Sequence, residues 1–170
     1  VFLTLGATLP YIQWRDERLR PENGLYGLLI PFLDGMVQAA SDSARIVDGM
    51  EASYPVRDPA LLDTYFMVET SGVVPWFSDS TRYRKVVSRS FGIWLDHDWR
   101  AHGWDTRDVA KNYRPPAALR EVVHHALELA DEFVWVYSEK PRWWTEEGGR
   151  QDLPEPYVQA LRDARKGLAP

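Results

Sequence analysis

The 170-residue chain has no cysteine, which excludes disulfides, thiolate–zinc sites and cysteine nucleophiles. It also lacks a basic excess: 20 Lys and Arg stand against 25 Asp and Glu, a formal net charge of −5. A nucleic-acid partner needs a basic face, and no Lys/Arg block is present for a polyanion or an anionic membrane. No apolar run is long enough to span a bilayer, and no basic start with a small-residue cleavage site marks a signal peptide. Gly-x-Gly-x-x-Gly, P-loop, Gly-x-Ser-x-Gly and His-Glu-x-x-His patterns are all missing. Nucleotide binding, serine hydrolysis and that form of zinc hydrolysis therefore have no support.

What the chain does have is a rhythm. An apolar strand ends in an acidic or aromatic cluster, a polar loop follows, and an amphipathic helix comes next. The pattern occurs at 46–51, 91–96 and 133–139, and a degenerate copy at 1–5 opens the chain. Strands alternating with helices predict parallel βα units. Helices are expected over 26–40, 59–70, 116–130 and 154–166. The cleanest stripe is Leu119, Val122, Val123, Ala126, Leu127 and Ala130. Residues 73–88 and 97–115 are expected as connections. The length suits one domain. Because strand-like residues begin at Val1 without a lead-in, the chain is expected to be the C-terminal part of a longer one.

Strand parity orients the side chains. Phe91, Ile93 and Leu95 share one face; Gly92, Trp94 and Asp96 share the other. Val134 and Val136 match the aliphatic face, while Trp135, Tyr137 and Glu139 match the second. In a parallel barrel the aliphatic face meets the helices and the other points inward, with chemistry at the carboxyl ends of the strands. Glu51, Asp96 and Glu139 fall at those ends, so they are the candidate catalytic carboxylates. Cleaving a glycosidic bond takes two such groups, one donating a proton and one acting as base or nucleophile. Each acid also has a plainer use, capping a helix or pairing with Arg57, Arg100 or Arg142.

Aromatic residues make up 13 % of the chain, with 8 Trp and 8 Tyr, many in the expected loops. Trp stacks on the apolar face of a sugar ring, which makes Trp143, Trp144, Trp94, Tyr54, Tyr137 and Trp99 the candidate substrate-binding residues. The alternative is that they cover the ends of the core. Asp96-His97-Asp98, with His102 nearby, has the donor types of a metal site, but neighbouring residues of an extended chain point opposite ways and cannot share one ion. No metal is assigned.

Three segments together, IVDGMEASY (46–54), FGIWLD (91–96) and VWVYSEKPRWW (134–144), resemble the later strands of a TIM-barrel glycoside-hydrolase-like domain of a poorly characterised bacterial kind. The resemblance implies an α/β fold of about four parallel βα units, forming the C-terminal half of a (β/α)8 TIM barrel within a larger domain. It implies action on saccharides, with hydrolysis of glycosidic bonds in the full-length protein and no cofactor. The rival expectations are a non-catalytic carbohydrate-binding barrel, a metal-dependent hydrolase or isomerase using Asp96, His97, Glu51 and Glu139, and a purely structural domain.

Overall fold

The computed structural model describes residues 2–3 and 28–168. The connection expected over 6–24 lies outside the described residues. The fold is α/β and parallel. Its sheet is carried by β2 (Ile46–Asp48), β3 (Val87–Trp94) and β4 (Phe133–Tyr137), in that order, and β1 (Phe2–Leu3) adds a two-residue pairing along β2. Among the described residues six helices accompany the strands: α1 (Leu29–Ala39), α2 (Ala60–Val68), α3 (Ser80–Val86), the single turn α4 (Trp99–His102), α5 (Pro116–Leu129) and α6 (Glu155–Ala164).

This corrects the expectation of half a TIM barrel. Such a half needs four full-length strands in one continuous, evenly staggered sheet. Among the described residues only three strands exceed two residues, and β2 is three residues long. The pairing is also split along β3. Val87, Ser88 and Arg89 pair with β2, whereas Ser90 to Trp94 pair with β4. No row of residues runs across all three strands, so the sheet is short and open rather than a sector of a cylinder.

Local signals account for most elements. Pro115 is extended and Pro116 occupies the first turn of α5, where a missing N–H costs nothing. The stripe of α5 is buried at Leu119, Val122, Val123 and Ala126 and packs with Phe91, Ile93 and Leu95, all three fully buried, and with Tyr157, Ala160 and Ala164 of α6. Each such large apolar side chain contributes about 1.5–3 kcal/mol by leaving water. A second cluster joins Ile30, Leu33 and Val37 of α1 to Ile46 of β2 and to Tyr83 and Val86 of α3.

Among the departures from the sequence reading, the single turn α4 lies inside the connection expected over 97–115. The connection expected over 73–88 contains α3, whose start is capped by Asp79, the carboxylate accepting the Arg82 N–H at 2.8 Å. Gly72 does not stop the preceding helix. The chain widens into a π-helical turn, Glu69–Val73, and continues through Val74–Trp76. Val73 and Val74 are buried there, and Glu69 accepts from Tyr83 Oη and from Arg89 Nη1, both at 3.1 Å. Tertiary contacts on these side chains hold the backbone past the glycine.

Candidate functional site

Among the described residues, the sheet face opposite α5 and α6 carries a group of aromatic rings. Trp94 and the β4 residues Trp135 and Tyr137 project there from alternate strand positions, as their parity requires. Tyr54 joins them from the turn after β2. Its ring stacks on Tyr137 with centroids 5.6 Å apart and meets Trp135 and Trp94 edge-on at 5.3 and 5.8 Å. Trp94 lies 5.5 Å from Tyr137.

Several backbone devices assemble this group. Gly92 leaves the space that the rings fill: a Cβ there would lie 2.8 Å from Tyr54 Cε1 and 2.9 Å from Trp135 Cε2. Trp135 Nε1 donates to the Gly49 carbonyl at 2.7 Å. After β2, Met50 takes a left-handed conformation (φ 45°) and starts the turn Glu51–Ser53, which brings Tyr54 over the sheet. The buried Ser53 hydroxyl accepts the Gly92 N–H at 3.0 Å and lies within hydrogen-bond distance of the Met50 and Gly92 carbonyls. Arg114 is fully buried and donates to the Trp94, Tyr54 and Val56 carbonyls, tying the turn after β2 to the end of β3.

The three candidate carboxylates gather around these rings but differ in their surroundings. Glu51 accepts the Tyr54 hydroxyl at 3.2 Å. Glu139, its side chain 28 % exposed, accepts Trp99 Nε1 at 2.5 Å and the Tyr137 hydroxyl at 3.3 Å, and the Arg100 guanidinium stands 3.9 Å away. Asp96 is buried. Its oxygens accept Trp94 Nε1 at 2.9 Å and the backbone N–H groups of Glu139 at 3.0 Å and Lys140 at 2.7 Å. It ties the start of the loop after β4, and with it the Glu139 backbone, to the end of β3. Asp48, the neighbour of the other face, is buried and accepts the Met50 N–H at 3.0 Å.

The two tyrosines report the same gathering. Burial first, then the Glu51 charge and hydrogen bond, hold the Tyr54 phenol well above its ordinary range. Burial, Glu139, Asp96 and Glu51 all raise that of Tyr137. Both phenols stay protonated at neutral pH and serve as hydrogen-bond donors.

The aromatic candidates divide. Tyr54, Trp94 and Tyr137 belong to the ring cluster. Trp99 serves Glu139 through its N–H, and Lys140 Nζ and the Arg100 guanidinium lie 5.2 and 5.3 Å from its ring centre. Trp143 packs into the helix-side core and Trp144 is 78 % exposed. Among the described residues neither touches the Tyr54 cluster. Trp135 and Arg114 are the residues that sequence reasoning left out. Trp135 had a signal, two positions before Tyr137 on one strand face; Arg114 had none.

His97 packs between Trp94 and Tyr113, ring centres 5.0 and 4.8 Å away, and burial with the Arg114 charge lowers its pKa. Among the described residues no group of three or more His, Asp or Glu is arranged to hold a metal ion. No helix among them is long and apolar enough to cross a membrane. A groove of about 830 Å³ lies elsewhere, between α2, α5 and α6. Its charged groups are paired with one another: His125 with Asp63 and Glu128, each at 3.0 Å, and Lys166 with Asp163 at 2.5 Å. No protein-family model, curated protein or solved structure matches this chain.

Proposed function

We propose that the aromatic face binds a saccharide and that Glu139 and Glu51 carry the hydrolysis of a glycosidic bond on it. The supporting observation is the pairing of each glutamate with one phenol of a stacked tyrosine pair. Two carboxylates thereby flank one apolar platform, the combination that glycosidic cleavage uses. The rings offer faces to sugar C–H groups, while the carboxylates and phenols meet hydroxyls. One of the two glutamates donates the proton and the other acts as base or nucleophile. Asp96 holds Glu139 in place. The chemistry requires no cofactor.

A second reading, a saccharide-binding face without catalysis, is favoured by the bonds that already engage both glutamates: Glu139 accepts from Trp99 and Tyr137, and Glu51 accepts from Tyr54. A panel of oligosaccharides separates the readings. Under the first, Glu139→Gln lowers turnover about 10²-fold or more and keeps binding. Binding without turnover in the unsubstituted chain establishes the second. No binding to any saccharide sinks both.

A further inference from the structure

We infer that the saccharide taken at this face is anionic, carrying carboxylate or sulfate groups, an inference that rests on the saccharide reading. Three cations border the carboxyl ends of the strands, and aromatic rings hold each of them. Lys140 Nζ and the Arg100 guanidinium lie 5.2 and 5.3 Å from the Trp99 ring centre, and the Arg57 guanidinium lies 5.1 Å from that of Tyr113. Tyr113 packs on His97, which packs on Trp94, so both ends of the cluster are flanked. Neither Lys140 nor Arg57 forms an ion pair among the described residues, and the nearest acid to Arg100 is Glu139 at 3.9 Å.

A cation seated on a ring is fixed in position while its charge stays available for an anion. The placement matters because a substrate anion beside Glu139 is repelled by it. Arg100 stands 3.9 Å from that carboxylate and Lys140 shares the Trp99 ring with Arg100, and both offset the repulsion. The sequence has no basic block because the three cations come from segments about forty residues apart, and the fold brings them to one rim. The net charge of −5 disfavours non-specific adsorption of a polyanion on the rest of the surface.

The test measures binding of the 170-residue chain by tryptophan fluorescence and calorimetry, at low salt. The probes are polygalacturonate, its fully methyl-esterified form, dextran and dextran sulfate. Polygalacturonate or dextran sulfate is expected to bind about tenfold or more tighter than its uncharged counterpart. Which of the two binds identifies the anionic group. The double variant R100Q/K140Q removes the preference and keeps the fold, since both side chains are exposed. Arg162→Gln, on α6, leaves the preference intact. Equal affinity for the acid and its ester overturns the inference and leaves the saccharide reading standing. Equal weakening by Arg162→Gln shows general electrostatics and also overturns it. No binding to any probe removes both.

Discussion

Replacing Gly92 by alanine tests the aromatic face at its tightest point. The added Cβ meets three ring carbons of Tyr54 and Trp135 at 2.8 to 2.9 Å. Carbon contacts are comfortable at about 3.5–4.0 Å, so the rings must retreat by about 0.6 Å or more. Trp135 is held by its bond to Gly49 and Tyr54 by its stacking on Tyr137, so neither ring is a free end. Overpacking of this kind costs about 1–3 kcal/mol. Alanine regains about 0.5–1 kcal/mol because it is less flexible than glycine in the unfolded chain. The net effect is a loss of up to ~2.5 kcal/mol, a fall in Tm of up to ~10 °C for a domain of this size. Gly35→Ala is the internal control. No atom lies within 4 Å of its Cβ, and it sits in α1, where alanine is better by about 0.8–1 kcal/mol. Urea or thermal unfolding is expected to show opposite signs for the two variants, and Gly92→Ala should weaken the near-UV aromatic signal. If both variants gain stability equally, the packing argument for this face is refuted.

Arg114→Met keeps the length of a buried side chain and removes its donors to the Trp94, Tyr54 and Val56 carbonyls. Burial pushes the Arg114 guanidinium down to about 10, so it is charged at neutral pH. Losing charge-assisted bonds while leaving carbonyls unpaired should cost ~3–5 kcal/mol in urea unfolding; a loss below ~1 kcal/mol contradicts the role. Asp96→Asn places an amide NH2 against N–H donors, and ~1.5–3 kcal/mol with reduced saccharide affinity is expected; unchanged affinity would separate Asp96 from the site. His125 gives a pH signature. Burial lowers its pKa, but the bonds to Glu128 and Asp63 outweigh this and raise it. Its contribution is complete below the unfolded value of about 6.5 and is lost as pH rises through the higher folded value. Wild-type stability minus that of His125→Gln should therefore fall between pH 6 and 9; a flat difference rejects the clamp between α2 and α5.

Periodicity carried much of this molecule. The strand parity of 91–96 and 133–139 separated the aliphatic face from the aromatic one because successive side chains of a strand must point opposite ways. The stripe on α5 was equally readable because a helix buries one face. Asp96 and Glu139 lie two residues past the ends of β3 and β4, where the same local rules put them, whereas Glu51 lies in the turn after the shorter β2. Tertiary structure decided the rest. Whether βα units close into a barrel depends on strand length and stagger, which local pattern does not encode, and the three-residue β2 with split pairing on β3 leaves the sheet open. The contrast between Asp96, held by backbone N–H groups, and Glu139, bonded by Trp99 from 40 residues away, arises from contacts between segments distant in the chain. So does the selection of Arg114 for full burial, since no local feature distinguishes it from the surface arginines. Local chemistry determined which way each side chain points; only long-range packing decided what it touches.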